Sequence, residues 1–266
     1  MFNKLADSNE DDKIVQVNPG IAIKLRDPEQ EKGTTMIKTL DRDLQALKKA
    51  DSLRTFEAQA HKYDAALCGQ HARELYPHVL REVGAAYRAY AQREQAAGRV
   101  AGGKPERALR VLDVGCGTGA LASYVLDSLP TCKLIGVDIS PEMLRQARVR
   151  LGDAATFVPG DAEKLPFGDG SFDLVVMNDV FHHCPDPHRA AFEAWRVLAA
   201  DGVLVLGEEW SRQPVRAMSN VMLPVWGEGD IRIYSEDELT GLLGQWFEAV
   251  EWRSVNSRAC IAVARK

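Results

Sequence analysis

The stretch VLDVGCGTG, Val111–Gly119, decides how the rest of the chain is read. A short apolar segment runs into glycines at 115, 117 and 119. Glycines in that position let a backbone turn sharply and approach a ligand at the N-terminus of the following helix. With Ala120 the loop even satisfies the G-x-G-x-x-G/A pattern of a dinucleotide site, and Asp138 stands near the distance expected of a ribose-binding acid. On the glycines alone, an NAD-dependent oxidoreductase is a full rival to any other nucleoside-binding protein.

Three acids lean away from it. Asp113 precedes the glycines by two positions, where it points into the mouth of the loop. Asp138 ends a second strand, GVD, where its two oxygens can accept from both hydroxyls of a ribose. Asp161 follows a third strand in GDA. Ligands of open α/β sheets bind at strand C-terminal ends, so the three carboxylates make that mouth negative. A pyrophosphate is repelled there: each unit-charge pair at ~4 Å is worth about 1 kcal/mol in water and about 4 kcal/mol at an effective dielectric near 20. A ligand carrying an ammonium and a sulfonium is attracted. S-adenosylmethionine has both, with a ribose and an adenine.

Outward from the loop, the texture is strand–helix alternation. LRVLDV (109–114), KLIGVD (133–138), ATFVPG (155–160), FDLVVMN (172–178) and GVLVLGEE (202–209) are short runs rich in Val, Leu and Ile, most of them separated by helical segments. That alternation predicts a parallel sheet covered on both faces. FEAVEWRSV and RACIAVAR are joined only through Asn256-Ser257, which permits only an antiparallel pair. Upstream, GRVAGGKPER (Gly98–Arg107) reads as a hydrophilic linker. Before it, residues 34 to about 95 are helical in pattern, with breaks expected near Gly69 and Pro77. IVQVNPGIAIKL (Ile14–Leu25) alternates around Asn-Pro-Gly and predicts a short hairpin, after a loosely attached polar stretch 1–13. The division expected is an extension over 1–33, a helical cap and linker over 34–106, and an α/β domain over 107–266.

LDVGCGTG, GVDISPEML, GDAEKLPFGDGSFDLVVMNDVFHH and RVLAADGVLVLGEE, in that order and spacing, resemble the successive motifs of the class I S-adenosylmethionine-dependent methyltransferases. The nearest branch in pattern is the one that includes the ubiquinone and menaquinone C-methyltransferases. FEAQAHKYDAAL is similar to a segment that helps close the cofactor pocket, through Phe56, Ala60, Tyr63 and Asp64. The resemblance implies a Rossmann-like α/β fold: a seven-stranded, mostly parallel sheet of order 3-2-1-4-5-7-6, with an antiparallel C-terminal hairpin and an N-terminal helical cap. It implies that Asp113 and the backbone of Gly115, Gly117 and Gly119 hold the methionine end of the cofactor and Asp138 the ribose. Asp161 accepts from the adenine amine, the Ala162 amide donates to the ring, and Ile139 and Met143 pack on its faces. Tyr63 and Asn178 complete the expected cofactor site. The product is S-adenosylhomocysteine.

NDVFHHCPDPHRA, Asn178–Ala190, is dense in metal-ligand side chains. Zinc needs about four converging ligands. His182 and His183 are adjacent and point different ways in an extended segment, His188 lies on the helix begun by Asp186-Pro187, and no HExxH or paired-cysteine spacing exists. No metal is expected. The stretch follows the fourth strand, at the switch point beside the transferred methyl, so His182 and His183 are the candidate bases for a phenol or enol; merely lining the pocket is the competing role. Glu208 and Glu209 are alternative bases or polar contacts, or solvated surface acids. Trp210, Met218, Met222, Leu223 and Trp226 form an apolar insertion where such folds bind substrate, although Met and Trp at this spacing are more often core. Ser140-Pro141 and SEDE (Ser235–Glu238) read as helix caps.

A net charge of −5 argues against a nucleic-acid partner. The longest uncharged run, Val114–Leu126, is too short to span a bilayer, and the N-terminus lacks the apolar segment of a signal peptide. Five scattered cysteines without a CxxC pair read as reduced thiols, hence a cytoplasmic protein. The expected activity is methyl transfer to O, C or N of a small apolar or aromatic metabolite, with a homodimer left open. A non-catalytic S-adenosylmethionine-binding module is the second rival. The fourth strand carries MNDVF rather than N/D-P-P-Y, which disfavours nucleobase or protein-glutamine methylation.

Overall fold

A computed structural model describes residues 13–18, 21–25, 28–129, 131–226 and 230–266. The chain forms two compact units, Met1–Leu47 and Lys48–Lys266. In the first, β1 (Lys13–Asn18) pairs antiparallel with β2 (Ile21–Leu25), as the alternating pattern predicts; the turn residues 19–20 and residues 1–12 lie outside the described residues. α1 (Pro28–Gln59) then starts six residues ahead of the expected cap. Proline at a first helical position has no N–H to satisfy and a φ already suited to the helix.

α1 is followed by a 3-10 turn, Tyr63–Ala65, and α2 (Leu67–Ala96). The interruption therefore falls ahead of Gly69, and Pro77 lies inside α2 without ending it. Leu75, Val79, Val83, Ala86 and Tyr90 make one buried stripe along α2, at the three- and four-residue steps of a helix face. That stripe packs on the sheet, so α2 belongs to the α/β core and not to a separate cap. Each large aliphatic buried this way is worth about 1.5–3 kcal/mol. The expected linker is a small hairpin: β3 (Val100–Ala101) pairs with β4 (Lys104–Pro105) around Gly102 and Gly103, both at positive φ.

The main sheet contains β5 (Leu109–Val114), β6 (Cys132–Asp138), β7 (Thr156–Pro159), β8 (Phe172–Asn178), β9 (Leu198–Glu209), β10 (Ala249–Ser254) and β11 (Ala259–Arg265). Its order is β10-β11-β9-β8-β5-β6-β7. Counted within the sheet this is 3-2-1-4-5-7-6, with β11 antiparallel to both neighbours and the rest parallel. The Rossmann-like arrangement expected from the alternation is the one present.

Strand parity divides the core. Leu112 and Val114 of β5 face one layer, with α5 (Pro187–Val197) and α7 (Glu236–Leu243). Leu109 and Val111 face the other, with α2 and α3 (Ala120–Ser128). Asp113 shares the parity of Val111 and so lies on the α2 side. Beyond β6, α4 (Pro141–Leu151) starts with Ser140 accepting from the Met143 amide and Pro141 in the first turn. Asp186 caps α5 through the Arg189 amide, and Ser235 and Glu238 form a capping box on α7. All three caps are as read from sequence. The remaining helix, α6 (Val215–Trp226), exposes Val215, Met218, Val221 and Met222 while Leu223 is buried; side chains over 224–229 lie outside the described residues. No helix among the described residues is long and apolar enough to cross a membrane.

Candidate active site

The sheet order reverses between β5 and β8, and a cleft opens there at the C-terminal strand ends. Its floor is the glycine loop. The amides of Gly115 and Cys116 donate to the Val137 carbonyl at 2.7 and 3.0 Å, folding the loop back onto β6. Gly115, at φ +69°, lies so close to Val180 that a methyl built on it would sit 2.7 Å from Cγ1 and nearer still to Cγ2. Gly117, at φ +51°, faces open space and donates its amide to Asp138 Oδ2 at 2.8 Å. Gly119 does not line the cleft; it is the N-cap of α3 and lets that helix pack against Ala147 of α4.

Two acids behind this loop are almost wholly withdrawn from water. Asp113 is 3% exposed, and its Oδ2 has no hydrogen-bond partner among the described residues. Burial, with a smaller push from the charge of Asp138, raises its carboxyl to about 7. Asp138 is raised to about 6 by burial, against the pull of the Ser140, Gly117 and Ile139 backbone hydrogen bonds. Its oxygens already accept from Gly117 and Ser140 amides, at 2.8 and 2.9 Å, which fixes the carboxylate. Met143 is buried, Ile139 is part exposed, and both line the cleft with Ala162 and Asn178. The Asn178 amide donates to the Ala72 carbonyl at 3.2 Å, while its Oδ1 is buried without a partner among the described residues.

Asp161 is not a bare carboxylate. Lys49 donates to its Oδ2 at 2.6 Å and also pairs with Glu163. Burial works against the Lys49 ammonium, but the two carboxylates outweigh it and its pKa is raised. Lys49, Ser52 and Phe56 line the cleft at helical three- and four-residue steps, so this face of α1 is the cover. The family resemblance pointed to Phe56, but nothing local marked Lys49 as a partner of an acid 112 residues away. Glu57 secures the cover by accepting from Ser140 Oγ at 2.6 Å and from the Glu142 amide at 3.1 Å. Tyr63 lines the cleft edge-on to Phe56, with ring centroids 6.2 Å apart, and Ala60 is buried. Asp64 faces away: it accepts from Thr118 Oγ1 at 2.8 Å and pairs with Arg150, tying the end of α1 to the glycine loop and α4.

The histidines depart from expectation. Phe181–His183 is a 3-10 turn, not an extended segment, so the two rings lie together with centroids 4.0 Å apart. His182 is 4% exposed and does not line the cleft; His183 does, edge-on to Phe56. Glu208, expected as a base or a solvated acid, is neither exposed nor in the cleft. It accepts from the amides of Val180 and Phe181, at 3.1 and 2.7 Å, and contacts His182 Nδ1 at 2.6 Å. Asp230 closes on both rings from the far side, 3.5 Å from His182 Nε2 and 3.2 Å from His183 Nδ1. Burial opposes a proton on His182, but Glu208 and Asp230 outweigh it and hold its pKa well above the ordinary value. Beside them Asp179, in the left-handed region at φ 61°, lines the cleft and contacts His71 Nδ1 at 3.0 Å. His71 is raised to about 9, burial being outweighed by that carboxylate. Asp230, His71 and Asp179 were missed in the sequence; each works through a contact that no local spacing encodes.

A family model described as a methyltransferase domain matches residues 112–206. A malonyl-[acyl-carrier protein] O-methyltransferase of Geobacter sulfurreducens is 47% identical over 96 residues, 35% of this chain and 36% of that protein. A demethylmenaquinone methyltransferase of Deinococcus radiodurans is 40% identical over 102 residues, 37% of this chain and 42% of that protein. The chain thus matches well under half the length of either relative. A solved structure from Thermotoga maritima, described as a SAM-dependent methyltransferase and possible histamine N-methyltransferase, superposes with a TM-score of 0.58 over 81% of this chain and all of that one. At 22% identity, that likeness speaks for the fold.

Proposed function

We propose that this chain, whose residues 112–206 belong to the methyltransferase domain family, is an S-adenosylmethionine-dependent enzyme that methylates an oxygen, carbon or nitrogen of a small apolar or aromatic acceptor. One observation carries the reading: Asp113 Oδ2, buried and unpartnered beside the glycine loop, with Asp138 buried next to it. Two dry carboxylates with raised proton affinity suit a ligand that brings its own cation, and oppose a pyrophosphate. The NAD reading therefore loses its footing on the same loop that suggested it.

Bound S-adenosylmethionine supplies a methyl on a sulfonium that needs no further activation. The protein's part is to hold and align. Asp113 pairs with the ammonium, while Gly115 and Gly117 let the backbone come close. Asp138, its carboxylate fixed by the Gly117 and Ser140 amides, accepts from the ribose hydroxyls. Asp161 and the Ala162 amide meet the adenine edge, and Ile139 and Met143 pack on its faces. Asn178 offers its unpartnered Oδ1 to a donor in the cleft. Phe56 and Tyr63, on and after α1, exclude water from above.

At the acceptor end His183 is the imidazole that faces the cleft, so it is the one in reach of a proton that must leave. His182 is withdrawn between Glu208 and Asp230 and positions the turn. The exposed apolar residues of α6 favour an apolar acceptor. The relatives named above act, by their names, on malonyl-[acyl-carrier protein] and demethylmenaquinone. The family match ends at residue 206, ahead of α6, so the choice between such acceptors rests with segments outside that match.

Calorimetric titration of the purified chain with S-adenosylhomocysteine and, separately, NAD tests the cofactor. Binding of the first alone is expected; binding of NAD alone sinks the proposal. Transfer of a labelled methyl to a metabolite in cell extract is the further expectation. Cofactor binding with no label transferred to any fraction would leave a binding module instead. His183→Ala should lower kcat with cofactor affinity kept within a few-fold, whereas an unchanged kcat removes His183 from proton transfer.

A further inference from the structure

We propose that His182, His183 and Asp230 bind a divalent transition-metal ion beside the cleft, through two imidazole nitrogens and one carboxylate oxygen. The placing of that ion next to a methyl acceptor rests on the function proposed above; the ion site itself does not.

The geometry comes first. Asp230 Oδ1 lies 3.5 Å from His182 Nε2 and 3.2 Å from His183 Nδ1, and the three ligand atoms all fall within 4.8 Å of one another. Ligand atoms on a tetrahedral ion with bonds of 2.0–2.1 Å stand about 3.3 Å apart. A charge-assisted hydrogen bond runs at about 2.7–2.9 Å, so the 3.5 Å separation is longer than a short hydrogen bond and ordinary for two ligands of one ion.

The surroundings are those of a built site. His182 turns its other nitrogen, Nδ1, to Glu208 Oε2 at 2.6 Å. A carboxylate on the far nitrogen of a ligating histidine fixes the tautomer and ring orientation, and makes the near nitrogen more basic. Glu208 is itself held by the Val180 and Phe181 amides. Asp230 is brought over the turn by its neighbour, because the Ile231 amide donates to the His182 carbonyl at 2.9 Å. Asp179 adds further negative charge around His182, and Glu209 interacts electrostatically with both His182 and Asp230.

Imidazole with carboxylate selects Zn²⁺, Fe²⁺ or a similar first-row ion over Ca²⁺ or Mg²⁺. Three protein ligands leave a position for water or an acceptor oxygen, and His183 is also a wall of the cleft. A hydroxyl coordinated there loses its proton to solvent at lower pH than a free one. Metal and proton compete for the same nitrogens, so the ion replaces the imidazole as the group that ionises the acceptor.

The test is a Co²⁺ titration of tag-free, chelator-stripped full chain, followed by visible absorption. One ion per chain with d–d bands is expected, and Asp230→Asn should weaken it by more than about 100-fold while the protein keeps a cooperative thermal melt. Should Asp230→Asn fail to fold, His183→Ala carries the same expectation. Absence of a stoichiometric band, or a band that survives both substitutions, overturns the site. S-adenosylhomocysteine titrated in parallel separates the two proposals: its binding without Co²⁺ refutes the metal site alone, and Co²⁺ binding without it refutes the cofactor alone.

Discussion

Replacing Asp113 with Asn should make the ligand-free protein more stable while destroying cofactor binding. Burial moves this carboxyl from 3.8 to about 7, and its Oδ2 has no hydrogen-bond partner among the described residues to offset the charge. Each tenfold change in proton affinity is worth about 1.4 kcal/mol, so the ionised side chain costs the fold about 4 kcal/mol at pH 8. Because the folded pKa is raised, this carboxyl contributes most to stability below about pH 4, and that contribution is lost as the pH climbs through about 7. The amide of the variant escapes the charge but leaves its N–H₂ short of acceptors, a loss of about 1–2 kcal/mol. The net gain at pH 8 is about 2 kcal/mol, or about 6 °C for a unit of this size, and it should vanish near pH 4.5. Thermal melts of both proteins at the two pH values, with and without S-adenosylhomocysteine, read it directly. Wild type alone should rise with ligand, by about 2.7 kcal/mol at a hundredfold excess over Kd. A variant that melts below wild type at pH 8 without ligand would refute the claim that the buried carboxylate waits for a cation.

The same acids set a pH dependence of binding. An ammonium needs Asp113 ionised, so affinity for S-adenosylhomocysteine should fall about twentyfold from pH 8 to pH 6, about tenfold through Asp113 and twofold through Asp138; an affinity flat within twofold by calorimetry contradicts this. Gly115→Ala forces a methyl against Val180 at a positive φ and should destabilise by about 2 kcal/mol or more in urea, with partial recovery in the double variant carrying Val180→Ala. No recovery would mean that the backbone, not the contact, is at fault. Asp173 sits between Arg107 and Arg110, with four side-chain hydrogen bonds and the Arg110 amide. Burial opposes its ionisation, but the arginines hold it at about 2. Its contribution is therefore present above about pH 4 and lost as the pH falls toward 2. Asp173→Asn should lower stability at pH 7 by about 2–3 kcal/mol, discounted for the half-exposed arginines, and an unchanged urea midpoint would count against it.

Much of this architecture was legible because its signals are local. The glycine loop, the acids at strand ends and the caps at Ser140, Asp186 and Ser235 each rest on residues within a few positions of one another. The strands showed because buried parallel strands are continuous apolar runs. Legibility failed where distance along the chain mattered. α2 looked like part of a cap because its apolar stripe says only that something is covered, not that the something is β8 and β9. The glycines at 102 and 103 mark a linker and a tight hairpin equally well. His182 and His183 looked divergent because adjacency in an extended chain means opposite faces, and a single 3-10 turn reversed that. Asp230 arrives 47 residues later and Lys49 over a hundred earlier, and neither carries a pattern that names its destination.

The place of β11 in the sheet has a consequence for the order of assembly. β10 comes first in the chain, yet it touches the sheet only through β11, which lies between it and β9. Pairing therefore cannot proceed in the sequence of synthesis; β10 must wait for a strand made after it. β11 is also buried along nearly its whole length, so it enters an interior already bounded by α2 and α7 rather than adding to an edge. Contacts between distant segments close slowly because the loop entropy precedes the reward. Refolding should accordingly pass its barrier with β5, β6, β8 and β9 paired and the last two strands still loose, so that substitutions at Ile261 or Val263 accelerate unfolding far more than they slow folding.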